Sequence, residues 1–433
     1  MKEDFLHYVW KFQKFDVGSL YTSNGEILHI KNQGSHNLNS GPDFFNAQIE
    51  LGGQLWAGNI EIHIKSSDWY AHGHETDSAY DNVILHVVWE HDAEIYRNDG
   101  SVVPTFIIKE HVPKTTLGQY KQLFSKENKW INCENDFKET DDFIIENWLE
   151  RLYLERLQKK EEILLKELKA TQNHWESLLF RMLCKNFGLK VNGDSFFSIA
   201  KSIDFSVVKK CSHERQDLEA LLIGQAGLLE GEAEDWYFKT LKSRYEYLKY
   251  KFQLNNENVV VPKFFRLRPP NFPTVRLAQF AMLYFGQPKL FSKVIAARHV
   301  HEFYELFNVT SSEYWDTHYN FGIGSLQRKK RVSKSLMDLL IINTVIPLKF
   351  CYGMQNGKDV SEEILRLAFS ISSEDNTIVK KFNSLKNIST NAGQSQALLQ
   401  LRSEYCEKNK CLHCAIGNAI IGSQAKSRGS RLV

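Results

Sequence analysis

FFNAQIEL (44–51), GG (52–53) and QLWAGNIEIHIK (54–65) decide how the first part of this chain folds. Two runs rich in β-branched and aromatic residues flank a Gly-Gly pair, the signature of a tight hairpin. On the second run Ile60, Ile62 and Ile64 alternate with Glu61, His63 and Lys65. Successive strand side chains point to opposite faces, so the isoleucines face a core and an acid, an imidazole and an amine share the other face. Further strand-like runs lie at Gly25–Asn32, Asn82–Trp89 and Val102–Lys109, the last preceded by an Asn98-Asp99-Gly100 turn. Glu3–Phe12 reads as a short helix with Phe5, Val9 and Phe12 on one face. Residues 1–118 are therefore expected to form a mixed α/β sheet domain, followed by a polar connector over 119–140. From residue 141 the texture changes. Phe143–Thr171, His174–Phe187, Arg215–Leu229, Ala233–Phe252, Thr274–Phe285 and Ser335–Ile346 carry helical periodicity and few strand alternations. An α+β chain is expected, with a mostly helical domain over 141–433 that ends in a basic tail, KSRGSRLV.

The 433 residues suit two or three domains at roughly 150 residues each, and 42% hydrophobic residues suffice for real cores. With 54 Lys+Arg against 52 Asp+Glu the net charge is +2, so any nucleic-acid site must be a local basic patch. The acidic residues in MKEDFLHYVWKF exclude a secretory signal there, and Leu336–Phe350, interrupted by Asp338, Asn343 and Lys349, falls short of the roughly 20 residues of a spanning helix. Seven cysteines, four of them scattered, do not suggest a secreted disulfide framework, so a cytoplasmic protein with no membrane partner is expected. Histidine is skewed: nine of the fifteen lie in the first 111 residues.

That skew leads back to the hairpin. Gly41-Pro42-Asp43 opens its first strand, so Asp43 and Glu61 come from adjacent antiparallel strands. Two such carboxylates can hold one divalent cation, usually Mg²⁺, which polarises a phosphodiester and activates water. A nearby histidine, with a pKa close to working pH, suits the general base. The following segment, SDWYAHGH (67–74), adds His72 and His74. Alternate histidines can reach one zinc ion, completed by His63 or Asp77, or can form a hydrogen-bonded turn. Equally, Asp43 can cap a turn and Glu61 with Lys65 can form a solvated face. His86, between Leu85 and Val87, reads as a buried, satisfied histidine; Trp10, Trp56, Trp69 and Trp89 read as core.

Cys406, Cys411 and Cys414 form C-x4-C-x2-C, spaced for zinc or an iron–sulfur cluster, with Cys351 or Cys133 available as a fourth ligand. Their alternative is ordinary reduced thiols. Arg266-Leu-Arg268-Pro-Pro-Asn271-Phe-Pro-Thr-Val-Arg276 sets guanidiniums on rigid prolines, which suits phosphate contacts through Arg268 and Arg276 or an inter-helix elbow. Arg328, Lys329, Lys330 and Arg331 form the most compact basic run, a solvated surface or an attraction site for DNA or RNA.

Pro42-Asp43 on one strand and Glu61-Ile62-His63 on the next resemble the PD-(D/E)XK nuclease superfamily, whose restriction-endonuclease-like fold is then implied for the N-terminal domain. His63 stands where that pattern has lysine, with Lys65 two positions on. The WYAHGH segment is similar to the very-short-patch repair endonucleases; that resemblance implies Asp43 as metal ligand, His72 or His74 as base and Glu3 as an accessory acid. The whole chain resembles an uncharacterised bacterial family, domain of unknown function 2851, on Gly41–Phe44, Gly58–His63, Ser67–His74, Tyr80–Val88, Arg268–Arg276 and the cysteine tail. The leading expectation is a Mg²⁺-dependent nuclease or phosphodiesterase acting through Asp43, Glu61, His63, Lys65, His72 and His74. A non-enzymatic nucleic-acid or protein-binding scaffold with a structural zinc, and a zinc-dependent hydrolase using His63, His72 and His74, are the alternatives.

Overall fold

The computed structural model describes residues 1–37, 39–125 and 129–422. The described residues form two compact units, one of residues up to Trp148 together with 401–422, the other Leu149–Gln400.

In the first unit the hairpin forms as its sequence dictates. Strands β4 (Phe44–Leu51) and β5 (Gln54–Lys65) pair antiparallel through a turn in which Gly52 and Gly53 take φ of 57° and 85°. Both values lie in the left-handed region that only glycine adopts freely, and a turn with two such residues matches the twist of the strands it joins. Around this hairpin the sheet runs β1 (Leu20–Tyr21), β2 (Ile27–Asn32), β4, β5, β6 (Val83–Glu90), β7 (Thr105–Ile107), with β3 (Ser35–His36) beside β4. β2 and β4 are antiparallel, whereas β5, β6 and β7 are mutually parallel. Val83–Val88 of β6 is an unbroken buried run, as expected of a parallel strand covered on both faces. Helix α1 (Glu3–Lys11) buries Phe5, Val9 and Trp10 and packs on β5.

Several expectations need correction. Phe12 ends α1 and is exposed, and Trp56 stands on the exposed outer end of β5. The stretch expected to be a connector starts inside helix α3 (Lys114–Leu123), which follows the short α2 (Asp68–Ala71), and buries Ile131, Cys133 and Phe137. It belongs to the first unit because its apolar side chains pack there. Residues 401–422, expected in the helical domain, also belong to the first unit, and Cys411–His413 packs on α1. The basic tail lies outside the described residues.

Helix α4 (Asp142–Ala170) carries the chain into the second unit, which is helical apart from a short β8–β9 pair (His318–Asn320, Ile323–Gly324). The apolar run near residue 340 is longer than the sequence suggested. Lys334–Gln355 is one continuous helix of 22 residues, long and apolar enough to cross a membrane by length and composition, with 78% of its most apolar window buried. A π turn at Ile341–Val345 interrupts it. Pro347 lacks the amide that would bond the Asn343 carbonyl, and the widened turn absorbs that loss.

Candidate functional site

Pairing Phe44 with Ile60 and Glu61 with His86 puts Asp43, Glu61, His63 and His86 on one face of the sheet. Asp43 and Glu61 interlock. The Asp43 amide donates to Glu61 Oε2 at 3.1 Å, and the Ile62 amide donates to Asp43 Oδ2 at 2.9 Å. A bulge follows at once, where Asn46 takes a φ of 57° between the Phe44 and Ala47 pairings; such bulges re-aim the strand beside them.

The segment after β5 folds back over this face. Asp92 anchors it, accepting from the Ser66 hydroxyl at 3.0 Å and from the Ser67 amide and hydroxyl at 2.9 and 2.8 Å. Helix α2 then sinks Trp69 completely, and Gly73, at φ 73°, reverses the chain so that His74 returns to the sheet. His74 stacks on Tyr80 at 3.7 Å and meets Trp69 edge-on. Trp69 and Tyr80 share an apolar cluster with Val83, Ile95 and Val103. Burial of that cluster drives the fold-back, and the histidines are carried with it.

The outcome is a concentrated imidazole group. His63 Nδ1 lies 2.8 Å from His86 Nε2, and His63 Nε2 lies 3.0 Å from His72 Nδ1. Glu61 Oε1 is 3.3 Å from His74 Nε2 and 3.5 Å from His63 Nε2. One ligand atom from each of His63, His72 and His74 lies within 4.8 Å of the other two. Ligands held at about 2.0–2.1 Å around one ion are separated by roughly 3–3.5 Å along adjacent edges, so these spacings suit a shared cation. Burial, and then the neighbouring His72 and His74, push His63 down to about 3; burial takes His86 well below its ordinary range. Both rings are held neutral, the form that binds metals. His63 and Glu61 are buried while His72 is exposed, so one side of the group meets solvent.

Helix α1 adds two residues one turn apart. His7 Nε2 lies 3.2 Å from Asp43 Oδ2. Burial opposes the His7 charge, but Asp43 outweighs it and the pKa is raised. Burial pushes the Glu3 carboxyl up to about 7; His7 opposes this, and Asp43 and Glu61 add to it. Burial also raises Glu61. Asp43 adds to the rise of both Glu3 and Glu61, so negative charge is concentrated here and a cation would be welcome. His7 was not singled out from the sequence, although its i, i+4 spacing from Glu3 puts both on one helical face.

The remaining expected site residues divide. Lys65 does not join the group: it lies at the exposed end of β5 with its ammonium 4.0 Å from Asp92. The solvated-face alternative, stated for Glu61 with Lys65, holds for the exposed Lys65 and fails for Glu61, which is buried. His86 is buried and bonded to His63, but its Nδ1 has no partner, so it is not fully satisfied. Cys406, Cys411 and Cys414 do converge, and Cys133 rather than Cys351 lines the same void. Arg276 is buried and donates to Asn271 at 2.5 Å and Gln279 at 2.8 Å, so the start of its helix (Pro273–Gly286) holds a structural guanidinium, not a phosphate contact. Arg268 is exposed. Arg328, Lys329 and Arg331 are exposed and line one open depression with Lys334. Lys330 turns inward, donates to the Trp315 carbonyl and sits 4.1 Å over the Tyr319 ring. The run is extended, pairing Arg331 with Thr310.

Comparison with curated proteins and with solved structures gives no match. One family model does match, over residues 3–377, which include the whole sheet and every residue of the imidazole and carboxylate group. The chain belongs to that family, described as a protein of unknown function (DUF2851).

Proposed function

We propose that this protein is a metal-dependent phosphodiesterase of the nuclease type, with a first-row transition ion seated on His63, His72, His74 and Glu61. The observation that carries the reading is the convergence of three imidazoles within 4.8 Å, with Glu61 Oε1 at 3.3 and 3.5 Å from two of them. A nitrogen-rich set favours Zn²⁺ over Mg²⁺, which takes oxygen ligands, with Mn²⁺ binding more weakly through Glu61 and the imidazoles. His86 behind His63 fits the partner that orients a ligating ring. Such an ion supplies polarisation of a phosphoryl oxygen and a water acidified to a pKa of about 7. With such an ion held by His63, His72, His74 and Glu61, the Asp43–His7 pair, joined to Glu61 through the Asp43 amide, would take up the proton of the attacking water, and the leaving alkoxide would take a proton from solvent through the open His72 side. Asp43 ahead of one strand, Glu61 on its neighbour and Glu3 on the preceding helix support the PD-(D/E)XK likeness and its restriction-endonuclease-like fold. The exposed Arg268 and the Arg328–Lys329–Arg331 depression support DNA or RNA as substrate.

A second reading rests on the carboxylates. Glu3, raised to about 7 with Asp43 and Glu61 contributing, favours Mg²⁺ on an oxygen-rich site formed by those three residues. Cleavage of a chromogenic phosphodiester and of DNA and RNA with Mn²⁺, Zn²⁺ or Mg²⁺ separates the readings. Activity with Mn²⁺ or Zn²⁺ that is lost in His72→Ala supports the first. Activity with Mg²⁺ alone that survives His72→Ala supports the second. Inactivity with every ion and substrate, alongside a folded protein, leaves only a binding role.

A further inference from the structure

The first unit contains a second chemical cluster, remote in sequence from the hairpin. Cys133, Cys406, Cys411 and Cys414 line one void with Ile131, Phe137 and Gly417, and none of the seven cysteines is in a disulfide. The segment around Cys133 is tied to the C-terminal stretch by specific bonds. Arg402 donates to the Trp130 carbonyl at 2.7 Å; Asn132 donates to Asn409 at 3.1 Å and to Cys411 Sγ at 3.3 Å. A π-helical turn over Leu401–Cys406 and a 3-10 turn over Cys411–His413 aim the three C-terminal thiols inward. The backbone amides of Ile416 and Gly417 bond to Cys414. Gly417 is obligatory there, because a Cβ would lie 2.2 Å from the Cys411 carbonyl oxygen.

A cluster of thiols in a core needs no metal if it is close-packed, but these thiols line a void with room for a water-sized sphere to shift inside it. The spacing of the thiols also selects among metals. Four thiolates on one zinc at about 2.3 Å stand roughly 3.8 Å apart and close the gap between them. Among the described residues, the histidine trio is the group whose ligand atoms all fall within 4.8 Å; the cysteines stand wider. Thiolates set back around a central body suit a polynuclear cluster, and N–H···S bonds such as those from Asn132, Ile416 and Gly417 are how a protein stabilises and tunes one.

We propose that Cys133, Cys406, Cys411 and Cys414 ligate an iron–sulfur cluster that staples the C-terminal segment to the first unit. The Cys411–His413 turn packs on α1, so the staple also braces the helix that bears Glu3 and His7. The test is iron and acid-labile sulfide analysis, with an absorption spectrum, on the full chain purified without oxygen. A brown protein with iron and sulfide in equal amounts, most of both lost in Cys133→Ser and fully kept in Cys351→Ser, is the expected result. A colourless protein, one zinc per chain instead of iron, or unchanged iron in Cys133→Ser overturns the proposal. If Cys133→Ser does not fold, the Mössbauer spectrum of the parent decides: coupled, sulfur-ligated iron of a cluster supports it, and mononuclear four-thiolate iron or nitrogen- or oxygen-ligated iron overturns it.

Discussion

Asp43 and Glu61 hold each other through the backbone: the Asp43 amide bonds Glu61 Oε2, and Asp43 Oδ2 bonds the amide next to Glu61. Each carboxylate thus has one oxygen fixed by the sheet. Asp43→Asn keeps an acceptor for the buried Ile62 amide, whereas Asp43→Ala leaves that amide unsatisfied. Urea denaturation should show Asp43→Ala destabilised by roughly 1–3 kcal/mol and Asp43→Asn much less. Both variants should lose phosphodiesterase activity, because both remove the charge that pairs with His7.

Two glycines make a contrasting pair. Gly417→Ala drives a methyl into the Cys411 carbonyl and should cost roughly 1–3 kcal/mol together with iron content. Gly118→Ala, in the interior of α3 with open space around it, should gain about 0.5–1 kcal/mol. Denaturation midpoints of the two variants read both.

The basic residues separate by burial. Arg276→Ala should destabilise the second unit by about 2–3 kcal/mol through its lost bonds to Asn271 and Gln279. Lys329 pairs with the buried Asp316 carboxylate at 2.9 Å and is kept; replacing Arg328 and Arg331 together with alanine should leave stability nearly unchanged. It should weaken nucleic-acid binding and flatten its dependence on salt. Binding titrations at several salt concentrations test this, and an unchanged salt slope would exclude the depression as the phosphate contact.

Lys160 provides a pH signature. Burial, with Arg156 adding to it, pushes its ammonium down to about 7, while Asn343 and Gln396 accept from it and Glu374 opposes the shift. Between about 7 and the ordinary lysine value the unfolded chain holds a proton that the folded chain has released. Stability from this group therefore rises with pH across that window, and its burial cost is present in full below it. Relative to the parent, Lys160→Met should be at its best near pH 6 and lose ground steadily towards pH 10. A pH-independent difference would show that Lys160 does not titrate there.

The sequence made the local part of this site legible. Gly52-Gly53 fixes the hairpin, its alternation puts Glu61 beside His63, and WYAHGH offers two more imidazoles. Period-two reasoning overreached at Lys65, because the fold-back of Trp69 and Tyr80 covers only the inner end of β5. It also could not show that both faces of that strand are buried, since the cover comes from the crossover and not from the strand. His7 and Cys133 reach their partners across 36 and about 280 residues, and no local pattern encodes that. Arg276 was misread because a proline-rich entry looks the same whether the guanidinium after it points out or in. In the 328–331 run Lys330 alone is buried, although strand alternation would group it with the exposed Arg328, so no pattern within the run encodes its inward turn.

The central claim is a divalent ion on the imidazole group, and titration of Mn²⁺ into chelator-treated protein, followed calorimetrically, tests it most directly. His72 is exposed, so His72→Ala should fold as the parent does. One Mn²⁺ per chain in the parent, weakened at least tenfold in His72→Ala and abolished in His63→Ala, is the result predicted here. No binding to the folded parent, or equal binding by His72→Ala, would contradict it.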